Sequence, residues 1–141
     1  MVDMVVDSNV WVAAFVQSDS HYQSASQFVE ELRQGQHHCH VPYLVLAEIC
    51  AAILRRVLQP RLAMGLVVQV RKRFRQWEST GIITWYELTW PRTVGAITLN
   101  LALSPHLRGA DSIIAGLAEE LGIPVKTYDE EMLQRYTKAS S

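Results

Sequence analysis

The chain has 141 residues, of which 49% are hydrophobic and 19% are charged. That hydrophobic fraction is enough for a packed core and excludes a disordered chain. The 13 basic and 14 acidic residues give a formal net charge of −1, which excludes a polybasic protein but not a local patch that binds nucleic acid.

Cysteine content and hydropathy indicate the compartment. Cys39 and Cys50 are too few for a disulfide framework, which favours a reducing environment. The N-terminal segment carries Asp3 and Asp7 without a basic region, so it does not predict a signal peptide. No apolar run approaches the roughly 20 residues of a bilayer span. We therefore expect one soluble, cytoplasmic domain over residues 1–141 that does not contact a membrane.

Hydrophobic periodicity and turn residues divide the chain into alternating strands and helices. The predicted strands cover residues 1–6, 37–41, 82–88 and 124–128. The predicted helices are one capped by Ser8 or Asn9, one from 19 or 20 to 35, and those over 43–57, 61–77, 91–103, 111–121 and 129–136. Residues 104–109 are predicted to form a loop, and residues 138–141 a frayed tail. This alternation predicts an α/β fold with a central, mainly parallel sheet, whose ligands bind beyond the carboxyl ends of the strands.

Three aspartates lie where such a sheet would place a ligand. Asp7 and Asp129 each directly follow a predicted strand, and Asp111 opens a helix after Gly109 and Ala110. Each aspartate by itself is also explained as a helix N-cap or first-turn residue.

Glu48 is harder to explain as an ordinary surface acid. Its neighbours at three- and four-residue spacing in the predicted helix are all apolar: Leu44, Val45, Ala51 and Ala52. A carboxylate on that face points toward the core, where it needs a compensating cation or donor. Either a salt bridge to Arg55 or Arg56, or a metal ion, would satisfy it.

The four acids together predict a divalent-metal site. Carboxylate oxygens suit Mg²⁺ or Mn²⁺, and a cation would relieve the repulsion between converging carboxylates and activate water for attack on phosphorus. The neighbouring polar side chains are suited to orient water or the acids: Ser8, Asn9, Ser112 and Thr127.

Four segments of the sequence resemble the PIN-domain family over essentially the whole chain: Val5–Val10, Leu46–Ile49, Gly109–Ala115 and Val125–Asp129. The resemblance implies a three-layer α/β/α sandwich and a Mg²⁺- or Mn²⁺-dependent endoribonuclease. Similar stand-alone members are the VapC toxins, which usually dimerise and are blocked by a small antitoxin. The resemblance therefore also implies an RNA substrate, a homodimer and an antitoxin partner.

The resemblance assigns roles residue by residue. Asp7, Glu48 and Asp111 match the three core acids, and Asp129 matches the more variable fourth acid. Ser8 or Asn9 matches the polar position after the first acid, and Ser112 the one after the third. The chain departs from many relatives before the fourth acid, where it has Tyr128 rather than Arg.

Basic residues provide candidates for RNA contact. Arg71 and Arg73 crowd the end of one predicted helix together with Lys72 and Arg75, which indicates either a solvated face or a phosphate-binding patch. Arg108 is the strongest candidate because it lies close to Asp111 in the sequence.

A histidine-rich run, His37, His38 and His40 with Cys39, raises the question of zinc. Successive strand residues alternate between faces, so the four cannot converge, and no second spaced pair completes a tetrahedral site. The sequence therefore does not predict zinc binding.

Two other functions remain open. An aspartyl-phosphate phosphatase would use Asp7 as nucleophile but needs an acid two residues later, where this chain has Asn9. A catalytically inactive PIN-like scaffold would bind RNA or protein without turnover.

The predicted second helix and the helix containing Glu48 carry more apolar surface than a small monomer needs to bury. This surface predicts a dimer interface or antitoxin groove. Its residues are Tyr22, Phe28, Val29, Leu32, Ile49, Ile53 and Leu54.

Overall fold

The computed structural model describes all 141 residues and has a five-stranded sheet at its centre. The strands are β1 (Val2–Val6), β2 (His37–Pro42), β3 (Ile83–Tyr86), β4 (Val125–Lys126) and β5 (Ala139–Ser140). They are ordered β3-β2-β1-β4-β5, and every neighbouring pair is parallel. The predicted α/β fold with a mainly parallel sheet is confirmed.

Seven helices connect and cover the strands: α1 (Ser8–Phe15), α2 (Tyr22–Arg33), α3 (Tyr43–Arg56), α4 (Pro60–Ser79), α5 (Trp90–Ala102), α6 (Gly109–Leu121) and α7 (Glu130–Arg135). The α6 helix ends where Gly122 takes the left-handed conformation, with φ of 67°. None of the helices has both the length and the hydropathy needed to cross a membrane.

The first two helices begin at other residues than predicted, because local polar contacts fix their N-termini. Asp7, rather than Ser8 or Asn9, is the N-cap of α1, because its own carboxylate accepts the backbone N–H of Ser8. The second helix begins at Tyr22 rather than at Asp19 or Ser20, since the Asp19 carboxylate accepts the N–H of His21 at 2.8 Å and holds a turn there.

The C-terminal tail is ordered, so the prediction of a frayed end is wrong. The N–H of Val125 donates to the carbonyl of Lys138 at 3.0 Å, and that of Thr127 donates to Ser140 at 2.9 Å. These bonds satisfy backbone groups of β4 that the edge of the sheet would otherwise leave without a partner in the protein. The tail becomes the fifth strand.

Alternation along the strands gives the sheet two different faces. One face packs on an aromatic cluster centred on the fully buried Trp11, whose ring lies 5.0 Å from Phe74 and 5.4 Å from Trp77. The other face is covered by α6, on which α5 packs closely. At that crossing a Cβ on Gly116 would lie 3.0 Å from Ala96, so a larger residue there would force the two helices apart.

The predicted apolar surface is mostly core. Phe28, Leu32, Ile49 and Ile53 are buried, because α2 and α3 turn these residues inward. The exposed apolar residues include instead a stripe on α5, formed by Trp90, Val94, Ile97 and Leu101. We call these four residues the α5 stripe.

Candidate active site

Asp7 lies at the carboxyl end of β1, beside the end of β4. The side chain is 3% exposed, and both of its oxygens accept hydrogen bonds. The Ser8 N–H donates to Oδ1 at 2.7 Å, the Thr127 hydroxyl donates to Oδ2 at 2.9 Å, and the Asn9 amide donates to Oδ2 at 3.3 Å. Strand pairing thus fixes this carboxylate before any ligand binds.

Asn9 and Thr127 also connect the start of α1 to the loop after β4. The Asn9 amide donates to Thr127 Oγ1 at 3.1 Å, and Asn9 Oδ1 accepts the N–H of Tyr128 at 3.0 Å. Thr127 Oγ1 in turn accepts the N–H of Asp129 at 3.0 Å. These bonds hold Asp7 and Asp129 in a fixed relation.

Asp129 caps α7 through Oδ1, which accepts the N–H of Glu131 at 3.0 Å. The capping role is therefore present. The charge of Asp129 also raises the pKa of both Asp7 and Asp111, so the side chain lies close to the other acids. Its other oxygen makes no hydrogen bond within the protein.

Glu48 projects from α3 into the same region without a cationic partner. Its Oε1 atom is buried and makes no hydrogen bond. Desolvation, followed by the charges of Asp7 and Asp111, raises its pKa to about 7. The alternative of a salt bridge to Arg55 or Arg56 is not realised, since Arg56 pairs with Asp19 at 2.8 Å.

Asp111 is the third residue of α6 and completes the group. Burial and the charges of Asp7 and Asp129 raise its pKa to about 6, against a lowering effect of Arg108. The pKa of Asp7 is also raised, mainly by desolvation, although its hydrogen bonds oppose the shift. The protein therefore holds several carboxyl groups in an environment that disfavours their negative charge.

Arg108 is the cation that lowers the pKa of Asp111. It is the N-cap residue of α6, its side chain is 76% exposed, and its Nε lies 3.5 Å from Glu131. Arg71 and Arg73 do not affect the pKa of the acids. They lie on the exposed surface of α4, where Arg73 borders a groove between α2 and α4.

Two further residues differ from their predicted surroundings. Ser112 donates from its hydroxyl to the carbonyl of Gly109 at 2.6 Å, so it braces the first turn of α6 rather than bonding to an acid. Glu131 raises the pKa of Asp111 and therefore belongs to the acidic region. The sequence analysis did not single out Glu131, which stands in the first turn of α7.

Tyr128 stands at the position where the sequence departs from the PIN-domain pattern. Its ring stacks on His21 with the ring centres 4.3 Å apart, and its hydroxyl is buried without a hydrogen-bond partner. Only its backbone N–H touches the network around Asp7. The departure thus removes a cation from beside the fourth acid and substitutes an aromatic contact with the loop before α2.

The donor set fits a hard divalent cation. It consists of carboxylates, and the unpartnered Glu48 oxygen is the kind of buried group that a cation would satisfy. No three of the four carboxylates place an oxygen each within 4.8 Å of one another. An ion bound there would therefore be held directly by fewer than three of the carboxylates and would keep water ligands.

Comparison with known proteins identifies the family and the fold. The PIN domain family model matches residues 4–138. The sequence has no match among curated proteins.

Several solved structures share the fold. Mycobacterium tuberculosis VapC20, described as a toxin that cleaves the sarcin–ricin loop, has a TM-score of 0.70 and 14% identity, with 93% of each chain covered. FitAcB from Neisseria gonorrhoeae has a TM-score of 0.70 and 13% identity, covering 93% of this chain and 91% of that one. DNA-bound VapBC from Salmonella typhimurium has a TM-score of 0.63 and 15% identity, covering 99% and 96%.

Proposed function

Because the chain belongs to the PIN-domain family, we propose that it is a Mg²⁺- or Mn²⁺-dependent endoribonuclease acting as the toxin of a toxin–antitoxin pair. The observation that carries the proposal is the Glu48 carboxylate, which is partly buried without a partner and interacts with Asp7 and Asp111. Such an arrangement costs stability unless a cation compensates it.

Asp7, Glu48 and Asp111 would hold the cation, and Asp129 would contribute the oxygen that α7 leaves free. A divalent ion bound there supplies Lewis-acid activation of water and of the scissile phosphate. This chemistry needs no covalent intermediate. Asn9 argues against the phosphatase alternative, because an aspartyl-phosphate phosphatase needs a second acid at this position and the chain has an amide there.

The remaining residues of the site have roles that follow from their contacts. Thr127 and Asn9 orient the Asp7 carboxylate through hydrogen bonds of 2.9 and 3.3 Å. Arg108, being exposed and next to the acids, is suited to bind an RNA phosphate. Arg71 and Arg73 would contact a longer RNA on the α4 surface.

The test is cleavage of a mixed pool of structured and unstructured RNA in Mg²⁺, Mn²⁺ or EDTA. We expect cleavage in either metal, none in EDTA, and a loss of at least about a hundredfold in Asp7→Asn and Asp111→Asn. Glu78→Gln is the control, because Glu78 is an exposed acid on α4 with no salt bridge. RNA binding without cleavage by the wild type in any metal would indicate a scaffold and refute the proposal.

The toxin assignment is supported by solved structures of the same fold, among them a toxin–antitoxin complex from Klebsiella pneumoniae at 13% identity and a TM-score of 0.61. We propose a cytoplasmic location, where RNA and an antitoxin would both be available. Induction of the chain in a bacterial host should arrest growth, and Asp7→Asn should not. Growth arrest by Asp7→Asn as well would separate toxicity from nuclease activity.

We propose that the antitoxin occupies the groove between α2 and α4. The groove has a volume of about 660 Å³ and combines apolar walls, including Val29 and Leu66, with Arg56 and Arg73. It therefore fits an apolar segment that also carries acidic residues. We would screen genomic clones for one that restores growth to cells expressing the wild-type chain. That clone should fail to restore growth to cells expressing a Leu66→Glu variant that is still toxic. Rescue of that variant would exclude this groove.

We propose that a second copy of the chain covers the α5 stripe. Trp90, Ile97 and Leu101 are 80%, 54% and 73% exposed and lie on one side of the helix, which is an unusual apolar patch for a monomer. Sedimentation should show a dimer for the wild type and a monomer for Ile97→Glu. A monomeric wild type at all concentrations would refute this interface.

A further inference from the structure

The histidine-rich strand β2 and its neighbour β1 bring three potential metal ligands together away from the acidic site. Asp3 pairs with His38 across the two strands, and His40 follows two residues later on the same face. The Asp3 Oδ1 atom lies 2.8 Å from His40 Nε2 and 3.6 Å from His38 Nδ1. One ligand atom from each of the three side chains lies within 4.8 Å of the others.

We propose that Asp3, His38 and His40 bind a divalent transition-metal ion of the zinc class. Two imidazoles and one carboxylate form a ligand set of the kind found around zinc, with one position left open. Tetrahedral bonds of about 2.0–2.1 Å place neighbouring ligand atoms roughly 3.3 Å apart. The two distances from Asp3 lie on either side of that value, so small side-chain rotations would suffice.

The neighbouring strand β3 prepares both rings to act as ligands. Thr84 Oγ1 lies 2.7 Å from His38 Nε2, and the Tyr86 hydroxyl lies 2.8 Å from His40 Nδ1. Each hydroxyl therefore engages the ring nitrogen that faces away from Asp3. Without an ion, His40 Nε2 donates to the Asp3 carboxylate, so ion binding must displace that proton. Because a hydroxyl both donates and accepts, Thr84 and Tyr86 can hold the tautomer in which the nitrogen toward the ion is unprotonated, as the partners of histidine ligands usually do.

The site is open to solvent at one side. The Asp3 side chain is 50% exposed, whereas those of His38 and His40 are 23% and 14% exposed. An ion can therefore enter beside Asp3, and the two rings, whose centres are 4.6 Å apart, are held by the sheet.

His37 and Cys39 do not belong to this site. Both lie on the opposite face of β2, where the His37 ring bonds to Glu31 at 2.7 Å and Cys39 is fully buried. Asp3 is also four residues from Asp7 along β1, or about 13 Å at the rise of a strand. The proposed site is thus separate from the acidic site, so metal binding at one can be lost while metal binding at the other is kept.

The test is a calorimetric titration of the chelator-treated full chain with ZnCl₂. In buffer with excess MgCl₂ to occupy the acidic site, we expect one Zn²⁺ bound with a Kd below about 100 µM, and at least a tenfold weaker Kd in both His40→Ala and Asp3→Asn. Asp3→Asn is the more conservative change, since Asp3 is half exposed and the variant keeps its shape. Circular dichroism and the melting temperature confirm that each variant is folded.

A second readout identifies the ligands. Co²⁺ bound at this site should give the visible absorption of a nitrogen- and oxygen-ligated ion, and that signal should disappear in His40→Ala. Asp111→Asn should keep both the Zn²⁺ affinity and the Co²⁺ signal, which distinguishes this site from the acidic one. A wild-type Kd weaker than about 100 µM, or a loss of less than tenfold in folded Asp3→Asn and His40→Ala, would overturn the proposal.

Discussion

Glu48 provides a sharp test of the electrostatics of the candidate active site. Its pKa is raised from an ordinary value of 4.5 to about 7 by burial and by the charges of Asp7 and Asp111. Ionised Glu48 therefore opposes folding when no metal is bound. We predict that Glu48→Gln stabilises the metal-free protein at pH 8, although most substitutions of partly buried residues destabilise.

The magnitude follows from the linkage between pKa and stability. A difference of one in pKa corresponds to about 1.4 kcal/mol, so the full difference amounts to roughly 3 kcal/mol. Since solvent reaches part of the Glu48 side chain, we reduce this figure to about 1–2 kcal/mol. A glutamine also offers N–H donors to the neighbouring carboxylates, which acts in the same direction.

The pH dependence gives the sign. Below about pH 4.5 the Glu48 carboxyl is protonated in both the folded and the unfolded chain, so it adds no penalty. Between about pH 4.5 and 7 the unfolded chain loses this proton while the folded chain keeps it, and the free energy of unfolding falls. Above about pH 7 the penalty is complete. The gain from Glu48→Gln should therefore be large at pH 8 and small at pH 4.5.

The assay is urea denaturation of wild type and Glu48→Gln in EDTA at both pH values, with Glu78→Gln as the exposed control. Adding Mg²⁺ at pH 8 should stabilise the wild type and remove the advantage of the variant. Equal or lower stability of Glu48→Gln than wild type in EDTA at pH 8 would refute the reasoning. It would mean that the native protein already compensates this charge.

Three further predictions concern a hydrogen-bonding residue of the site, the packing of α5 on α6, and the cation beside Asp111. Thr127→Val should lower the free energy of unfolding by about 1–2 kcal/mol and reduce kcat more than it raises KM, because a buried hydroxyl with three hydrogen-bonded neighbours is lost; unchanged kinetics would contradict this. Gly116→Ala should destabilise by about 1–3 kcal/mol in chemical denaturation, since the new methyl group meets Ala96 at 3.0 Å. Gly95→Ala on the neighbouring helix has open space and should stabilise by about 0.5–1 kcal/mol; the same sign for both would contradict the close approach. Arg108→Ala should raise KM for RNA and weaken its salt dependence, and cleavage assays at two salt concentrations would check this.

Local patterns in the sequence were sufficient for most of the fold. The strand β1 and the helices α3 and α6 follow from apolar runs and their boundary residues, and the order of strands and helices requires a parallel sheet. The two-residue strand β5 could not be predicted in this way. Ala139 and Ser140 have no strand pattern of their own and pair only because the edge of β4 is available to them.

The same limit applies to the histidines. The spacing of His38 and His40 places both on one face of a strand, but the sequence does not identify Asp3 as their neighbour. That contact depends on the register of β1 against β2, which connects residues about 35 positions apart. The expectation of no zinc site considered only ligands within the histidine-rich run.

The sequence by itself determined which carboxylates could form the acidic site, because each follows a strand, opens a helix or interrupts an apolar helix face. It also determined that their ligand chemistry would suit a hard cation. Only the tertiary structure decided that one Asp129 oxygen caps a helix, that Ser112 braces a helix turn, and that the buried Glu48 oxygen has no hydrogen-bond partner. Charge and burial act through distance, and these distances arise only when the strands and α3 and α6 pack together.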